Sequence, residues 1–491
     1  MSQVGFIDTT LRDGQQSLWA MNMRTRHMVP ALPSLDAAGF DQIELMAPGA
    51  AFKKFVRHHG ENPWDWVKAA VKGVTHSQLR WHGRFEGSSL SGGIPPEVGE
   101  LMIAKVVGMG IKFTRIGDNW NRIALLRGKK ERLEKLGMTP TVNVMYSVSA
   151  RHTDDYFIER ARQAADLQPY RICLKDVGGL LTPERTRDLV PKLLAQTGDI
   201  PWEFHGHCNN GLGPLNALEA VKAGVRYVHT AVPPLANGNS QPSIFNVARN
   251  LQALGYDAPI DLEALQPAQR HLTAVARREG FPEGRPHEYR EHLYTHQVPG
   301  GMISNLIYQL ELAGLGNRIE ETLEEAGQVR ADFGYPIMVT PLSQFVGSQA
   351  AINVILGERY KQVSDDVIHY AWGRHGGEDA IAGMDPAVRA KILDRPRARE
   401  LEHYEEPLPT LRELRHKYGK NTSDEELILR AIVGDDAAEV VRRGSKAEAA
   451  ADARPFAEVL RDLMENTTYR YVSLEGPEVS MKLRRGDTTP A

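Results

Sequence analysis

Over roughly the first 255 residues, short apolar runs that end in polar side chains alternate with amphipathic stretches of helical period. The runs fall at 4–10, 42–46, 79–84, 113–118, 139–147, 171–177, 202–207 and 227–232. Helical stretches follow at about 25–39, 64–74, 97–109, 122–136, 154–167, 183–196, 213–223 and 241–254. Thr182-Pro183-Glu184 offers an N-cap followed by proline at the first helical position. Gly39, Gly110, Gly137 and Gly224 stand where helices should stop. Eight strand–helix units predict an α/β fold, a TIM (β/α)8 barrel. A doubly wound open sheet is the alternative, but the first strand is not followed by a Gly-x-Gly-x-x-Gly turn.

Beyond about 255 the alternation stops. Residues 262–279 and 304–328 read as helical, 391–425 as a charged, proline-punctuated segment that wraps or links, and 424–465 as two charged helices. The expected organisation is a barrel over 1–258, extended by helices to about 300, then a mainly helical region over 301–491 with a charged tail.

Composition narrows the class. A chain of 491 residues with net charge -3 offers no basic surface for nucleic acid or anionic membrane. Its two cysteines, Cys173 and Cys208, exclude a disulfide scaffold and a multi-cysteine zinc module. The start of the chain lacks a secretory pattern and no segment is long and apolar enough to span a bilayer, so a cytoplasmic protein is expected.

Barrel enzymes keep their chemistry at the C-terminal ends of the strands. There the first strand leads into Arg12-Asp13-Gly14-Gln15-Gln16, the sixth carries Lys175-Asp176, and the seventh carries His205-Gly206-His207. Residues two apart on a strand share a face, so the imidazoles of His205 and His207 can converge. A lone His-x-His is weak evidence; beside Asp13 on one barrel face it predicts a metal site of Asp13, Lys175, His205 and His207. Lys175 would join as a carbamate, an anionic oxygen ligand made when its neutral amine adds carbon dioxide. The plainer reading is an ion pair of Lys175 with Asp176 or another acid. Two histidines, a carboxylate and a carbamate suit zinc first, and manganese or cobalt also. Cys208 reads as a packed small residue rather than a nucleophile.

These motifs resemble the carboxyltransferase domain shared by pyruvate carboxylase, the oxaloacetate decarboxylase alpha subunit and the transcarboxylase central subunit, itself an HMG-CoA lyase-like metal-dependent barrel. The resemblance lies in Asp8-Thr9-Thr10-Leu11-Arg12-Asp13-Gly14-Gln15-Gln16-Ser17, in Leu174-Lys175-Asp176-Val177-Gly178-Gly179-Leu180-Leu181-Thr182-Pro183, and in Ser240-Gln241-Pro242-Ser243. It continues in Pro299-Gly300-Gly301-Met302-Ile303-Ser304-Asn305-Leu306 and Val339-Thr340-Pro341-Leu342-Ser343-Gln344-Phe345-Val346-Gly347. It implies transfer of carbon dioxide between carboxybiotin on a separate carrier and an enolisable small acid, with pyruvate/oxaloacetate the leading pair. It also implies a biotin carboxyl carrier protein and a biotin carboxylase subunit as partners, and a homodimer. Arg12 and Gln16 would bind substrate or biotin oxygens, although an arginine pairing with a neighbouring carboxylate is the plainer alternative.

Departures from the pattern touch the substrate. His82-Gly83-Arg84-Phe85 stands where the family has Arg-Gly-Gln-Asn, which leaves His82 and Arg84 to meet the acceptor carboxylate. Asn239 replaces a threonine thought to shuttle the proton, and an amide cannot relay a proton as a hydroxyl does. Cys208-Asn209-Asn210-Gly211 and Ala47-Pro48-Gly49-Ala50 differ as well. An acceptor other than pyruvate, a biotin-independent lyase or Claisen-type synthase, and a non-catalytic assembly subunit remain alternatives. Val479-Ser480-Met481-Lys482-Leu483 looks like a biotin-carrying Met-Lys-Met hairpin, but too little chain follows; no biotinyl domain is expected and Lys482 reads as an exposed tail residue.

Overall fold

The eight apolar runs form eight parallel strands closed into one barrel, in a computed structural model that describes residues 3–83, 85, 93–312, 314–404, 408–443, 471–475 and 480–484. The strands are β1 Gly5–Asp8, β2 Gln42–Met46, β3 Gln78–His82, β4 Phe113–Ile116, β5 Thr139–Met145, β6 Arg171–Asp176, β7 Trp202–Gly206 and β8 Tyr227–Thr230, paired in sequence order. Strand β8 closes on β1, with Phe6 opposite Val228 and Asp8 opposite Thr230. Helix stops behave as their glycines require. Gly39, Gly110, Gly137 and Gly224 all adopt positive φ, where a Cβ would be strained. Thr182 caps the helix Pro183–Leu194 by accepting from the Arg185 N–H.

Two expected helices are broken. The 25–39 stretch divides into Thr25–Met28, a 3-10 turn Val29–Ala31 and Leu32–Ala37, because Pro30 and Pro33 cannot donate to the helical ladder. The 304–328 stretch divides into Gly300–Leu312, a 3-10 turn at Gly316–Arg318 and Ile319–Asp332, with Gly314 at positive φ between them.

Apolar packing after the barrel separates into two bodies. Val298, Leu306, Val329, Phe333, Val346 and Tyr370 belong to a second core, which Trp120 from the loop after β4 enters. Leu427, Leu429 and Ile432 of the helix Asp424–Val433 return to the barrel core instead. There the backbone carbonyl of Glu425 accepts from the Trp64 indole at 3.0 Å, and its carboxylate pairs with Lys68 and Lys105. This helix, in the stretch expected to form charged helices, packs its apolar face against the barrel helices.

The second core meets the barrel at the strand ends. Arg330 Nη2 donates to Ser147 Oγ at 3.0 Å and to the Val148 carbonyl at 3.1 Å, and Arg330 Nε donates to the Pro336 carbonyl. Gln297 Nε2 also donates to the Val148 carbonyl, at 2.6 Å. Buried guanidinium–carbonyl contacts of this kind hold the helices over the mouth of the barrel.

Residues 443–491 form a separate unit. Within it β9, Tyr471–Glu475, pairs antiparallel with β10, Ser480–Arg484, placing Lys482 opposite Ser473. Lys482 thus lies on a paired strand, which corrects the expectation of a tail residue; the alternating Val472/Leu474 and Met481/Leu483 supply the strand period. No helix among the described residues is long and apolar enough to cross a membrane.

Candidate active site at the barrel mouth

Strand β1 runs into a wide helical turn, Thr10–Gly14, that swings Arg12 and Asp13 over the barrel end. Gly14 has no room for a side chain: a Cβ would lie 2.8 Å from the Leu235 carbonyl oxygen. The turn brings Asp13 Oδ2 to 3.1 Å from His205 Nε2 and 3.5 Å from His207 Nε2. Asp13, His205 and His207 are all buried, and their ligand atoms lie within 4.8 Å of one another. Burial pushes the Asp13 carboxyl up, but Arg12, His207 and His205 outweigh it and hold it well below the usual carboxylate range.

His207 is held through one ring nitrogen. Its Nδ1 lies 2.7 Å from the Asn239 carbonyl oxygen, which can only accept, so Nδ1 carries a hydrogen and Nε2 is turned toward Asp13. Gln241 completes the cluster. Its Oε1 accepts from Thr9 Oγ1 at 2.8 Å, and its Nε2 faces His207 Nε2 at 2.9 Å, Asp13 Oδ2 at 3.2 Å and His205 Nε2 at 3.5 Å. Two imidazole nitrogens and a carboxylate oxygen converging on one point are a ligand set that fits a divalent cation.

Lys175 stands opposite His205 in the β6–β7 register and opposite Met145 in the β5–β6 register. It does not pair with Asp176. The Asp176 carboxylate turns away and accepts from the Leu180 and Leu181 N–H groups at 2.9 and 2.8 Å, shaping the turn into the next helix. Burial, with Arg115 and Arg12 adding to it, pulls the Lys175 amine down to about 8.

Arg12 is anchored. Its Nε donates to Glu44 Oε2 at 2.8 Å, its Nη2 also pairs with Glu44, and Nη2 lies 2.9 Å from Asp13 Oδ2. Gln16 is exposed on the helix Gln15–Trp19. His82 ends β3 opposite Arg115. Burial and the nearby Arg12, Arg115 and Lys175 hold its imidazole well below the usual range, hence neutral. Arg84 lies outside the described residues. The Asn239 side chain accepts from His287 Nε2 at 3.1 Å, and His287 sits on a non-regular stretch, 281–290, laid over the loops after β7 and β8. A Cβ on Gly211 would lie 2.1 Å from the His287 carbonyl oxygen. Cys208 is buried with its thiol pushed up, so it is packed rather than reactive.

The barrel interior below this mouth is charged. Arg80 makes a bidentate pair with Glu203, at 2.8 and 2.5 Å; Arg115 meets Glu44 at 2.7 Å; and Arg171 approaches Glu203 at 3.5 Å. Glu44, Arg80, Arg115, Glu203, His229 and Gln241 were not singled out as site residues from sequence. For the first five the signal was a charged residue inside an otherwise apolar strand; for Gln241 it was the Ser240-Gln241-Pro242-Ser243 motif. A cavity of about 530 Å³ lies elsewhere, among Glu321, Glu324, Glu325, Arg318 and Arg359, and its acidic lining does not suit an anionic acceptor.

Fold and site together define a barrel enzyme whose catalytic face is closed over by helices. The chain matches the HMGL-like family over residues 3–272 and the conserved carboxylase domain over 293–486. It is 34% identical to a pyruvate carboxylase subunit of Methanocaldococcus jannaschii over 80% of this chain and 68% of that protein. It is 30% identical to the 2-oxoglutarate carboxylase large subunit of Hydrogenobacter thermophilus over 87% of this chain and 66% of that protein. The carboxyl transferase domain from Rhizobium etli pyruvate carboxylase with pyruvate superposes with a TM-score of 0.80 at 23% identity, over 90% of this chain and 77% of that one. The chain belongs to the HMGL-like family, in the branch that carries the conserved carboxylase domain, and it is a biotin-dependent carboxyltransferase.

Proposed function

We propose that this chain is the carboxyltransferase subunit of a biotin-dependent carboxylase, moving carbon dioxide between carboxybiotin on a separate carrier protein and an enolisable 2-oxo acid. Pyruvate, giving oxaloacetate, is the leading acceptor. The observation that carries the reading is the convergence of Asp13, His205 and His207 beside a half-buried, low-pKa Lys175 at the barrel mouth. Asp13, carbamylated Lys175, His205 and His207 would hold a divalent metal, with zinc favoured over manganese or cobalt, and the metal would supply Lewis-acid stabilisation of enolate charge.

Lys175 becomes a ligand only after chemistry. Its neutral amine attacks carbon dioxide, a C–N bond forms, one proton leaves, and an anionic carbamate remains. The amine lowered to about 8 supports this step, because more of it is unprotonated near neutral pH than in an ordinary lysine. Arg12, held in place by Glu44, and Gln16 would present a cation and an amide to substrate or biotin oxygens. Neutral His82, with Arg84, would meet the acceptor carboxylate. The Asn239 side chain, tied to His287, would orient groups at the site of proton transfer rather than relay the proton itself. Asp13, His205 and His207 are all buried at the mouth, which strengthens the electrostatic interactions they make.

A biotin carboxylase and a biotin carrier are the partners this role requires, and a homodimer is the expected assembly. A second acceptor, 2-oxoglutarate, is favoured by the likeness to a 2-oxoglutarate carboxylase large subunit. The test supplies the chain with a biotin carrier, a biotin carboxylase, ATP and labelled bicarbonate, and offers each 2-oxo acid in turn. Label fixed into oxaloacetate supports pyruvate. Label fixed only with 2-oxoglutarate moves the acceptor assignment, and no fixation with either, from a metal-loaded chain, overturns the reading.

A further inference from the structure

We infer that Asn143, near the C-terminal end of β5, is a substrate-binding residue whose side-chain amide, with His82, seats a carboxylate of the acceptor. This rests on the reading of the mouth as a site for a 2-oxo acid.

The seat follows from how side chains stack inside the barrel. Arg80 of β3, Thr141 of β5 and Glu203 of β7 meet in one layer, where Arg80 donates to Glu203 and to Thr141 Oγ1. Such layers draw on alternate strands, and the next one from the same strands stands two residues further on. It holds His82, Asn143 and His205. His205 reaches Asp13. The other two keep a buried polar atom with no hydrogen-bond partner among the described residues, Nδ1 in His82 and Oδ1 in Asn143. Asn143 is only 3% exposed. A polar atom buried in this way carries its desolvation cost unpaid, and a bound group that engages the same side chain recovers it.

The amide is reached from the mouth. Strand β4, between β3 and β5, ends at Ile116, and Gly117 follows with no side chain. A Cβ there would lie 3.2 Å from Asn143 Nδ2 and 3.1 Å from Met145 Cε, and Gly117 itself is partly exposed. The missing side chain leaves a path down to Asn143. Met145, next on the inward face of β5, packs with Ile337 and Val339 from beyond the barrel and gives that path an apolar wall. The surroundings suit an anion. The charged groups that act most on His82 are the cations Arg12, Arg115 and Lys175, with Asp13 against them. A neutral imidazole offers one N–H, an amide offers two, and the amide can turn over to present them. A carboxylate accepts from both side chains, and the carbon chain of a 2-oxo acid suits the Met145 side.

The test is fixation of labelled bicarbonate by the metal-loaded chain with a biotin carrier, a biotin carboxylase and ATP, using pyruvate and 2-oxoglutarate as the probes. Asn143→Leu keeps the side-chain shape and removes the amide. The KM for the acid that the parent accepts should rise roughly 10–100-fold, the scale of a hydrogen bond to a charged group. The KM for the carrier and the metal content should stay at parental values, which a general loosening of the barrel mouth would not allow. A parental KM for the acid overturns the inference and leaves the reading of the site standing. Loss of bound metal in Asn143→Leu assigns the amide to the metal site and overturns the inference as well. No fixation by the parent with either acid removes the reading and the inference together. Should Asn143→Leu not fold, Gly117→Ala decides, because its Cβ crowds Asn143 Nδ2 and leaves the amide in place. A raised KM for the acid with metal retained supports the seat, and a parental KM overturns it.

Discussion

Lys175 and His205 face each other directly across the β6–β7 pairing, and registered residues in a parallel pair leave the sheet on the same side. An amine buried beside two arginines is thereby set next to an imidazole whose far side looks at a carboxylate. A lysine placed for stability would have an acid beside it; here the neighbouring Asp176 is engaged by backbone N–H groups instead.

That placement has a stability consequence. In the unfolded chain the amine titrates near ~10.4, whereas in the fold it titrates at about 8. Folding therefore disfavours the ammonium form. The penalty is present in full below about 8 and fades as pH rises toward ~10.4. Lys175→Met should stabilise the metal-free chain by on the order of 2 kcal/mol at neutral pH while abolishing activity. Urea unfolding at pH values on either side of this window checks the sign.

Uptake of carbon dioxide by Lys175 should rise with pH in the same range, since only the neutral amine reacts. Metal-free chain equilibrated with ¹³C-bicarbonate should show a carbamate signal that grows as pH passes about 8 and is missing in Lys175→Met.

Asn239 acts through two separate groups. Its backbone carbonyl fixes His207, and its side chain holds His287. Asn239→Ala keeps the first and cuts the second. Metal content should be unchanged and turnover reduced by about 10-fold or more, the scale of a mispositioned proton-transfer group. Metal analysis of the purified variant beside its steady-state rate tests the split.

Asp36 should set part of the acid stability. Burial pushes its carboxyl up, but the Ser77, Thr75 and His76 N–H groups, at 2.8 to 3.2 Å, outweigh it and hold it well below the usual range. A depressed folded-state pKa gives stability that is complete above the unfolded value of ~3.9 and is lost as pH falls below it. Asp36→Ala should cost on the order of 2 kcal/mol at neutral pH by stranding those donors, and should flatten the acid limb of the unfolding curve.

The barrel was legible because its strands are apolar runs with polar ends and its helices stop at glycines that need positive φ. Asp13, His205 and His207 were legible because a two-residue spacing and the rule of strand ends place them on one face. Gln241 was visible only as part of a motif, since nothing in a single amide tells that its Nε2 will stand among two imidazoles and a carboxylate. Glu203 and His229 were hidden for a different reason. Their meaning comes from register between strands far apart in sequence, where Glu203 meets Arg80 across 123 residues. The pairing of β10 with β9 was missed because five-residue strands carry little period of their own.

The most direct test is oxaloacetate decarboxylation by the metal-loaded chain, with and without free biotin, in the parent and in Lys175→Ala. Biotin-stimulated release of pyruvate that disappears in Lys175→Ala is the predicted result. Release that ignores biotin, or that survives loss of Lys175, would contradict a carboxyltransfer site built on that residue.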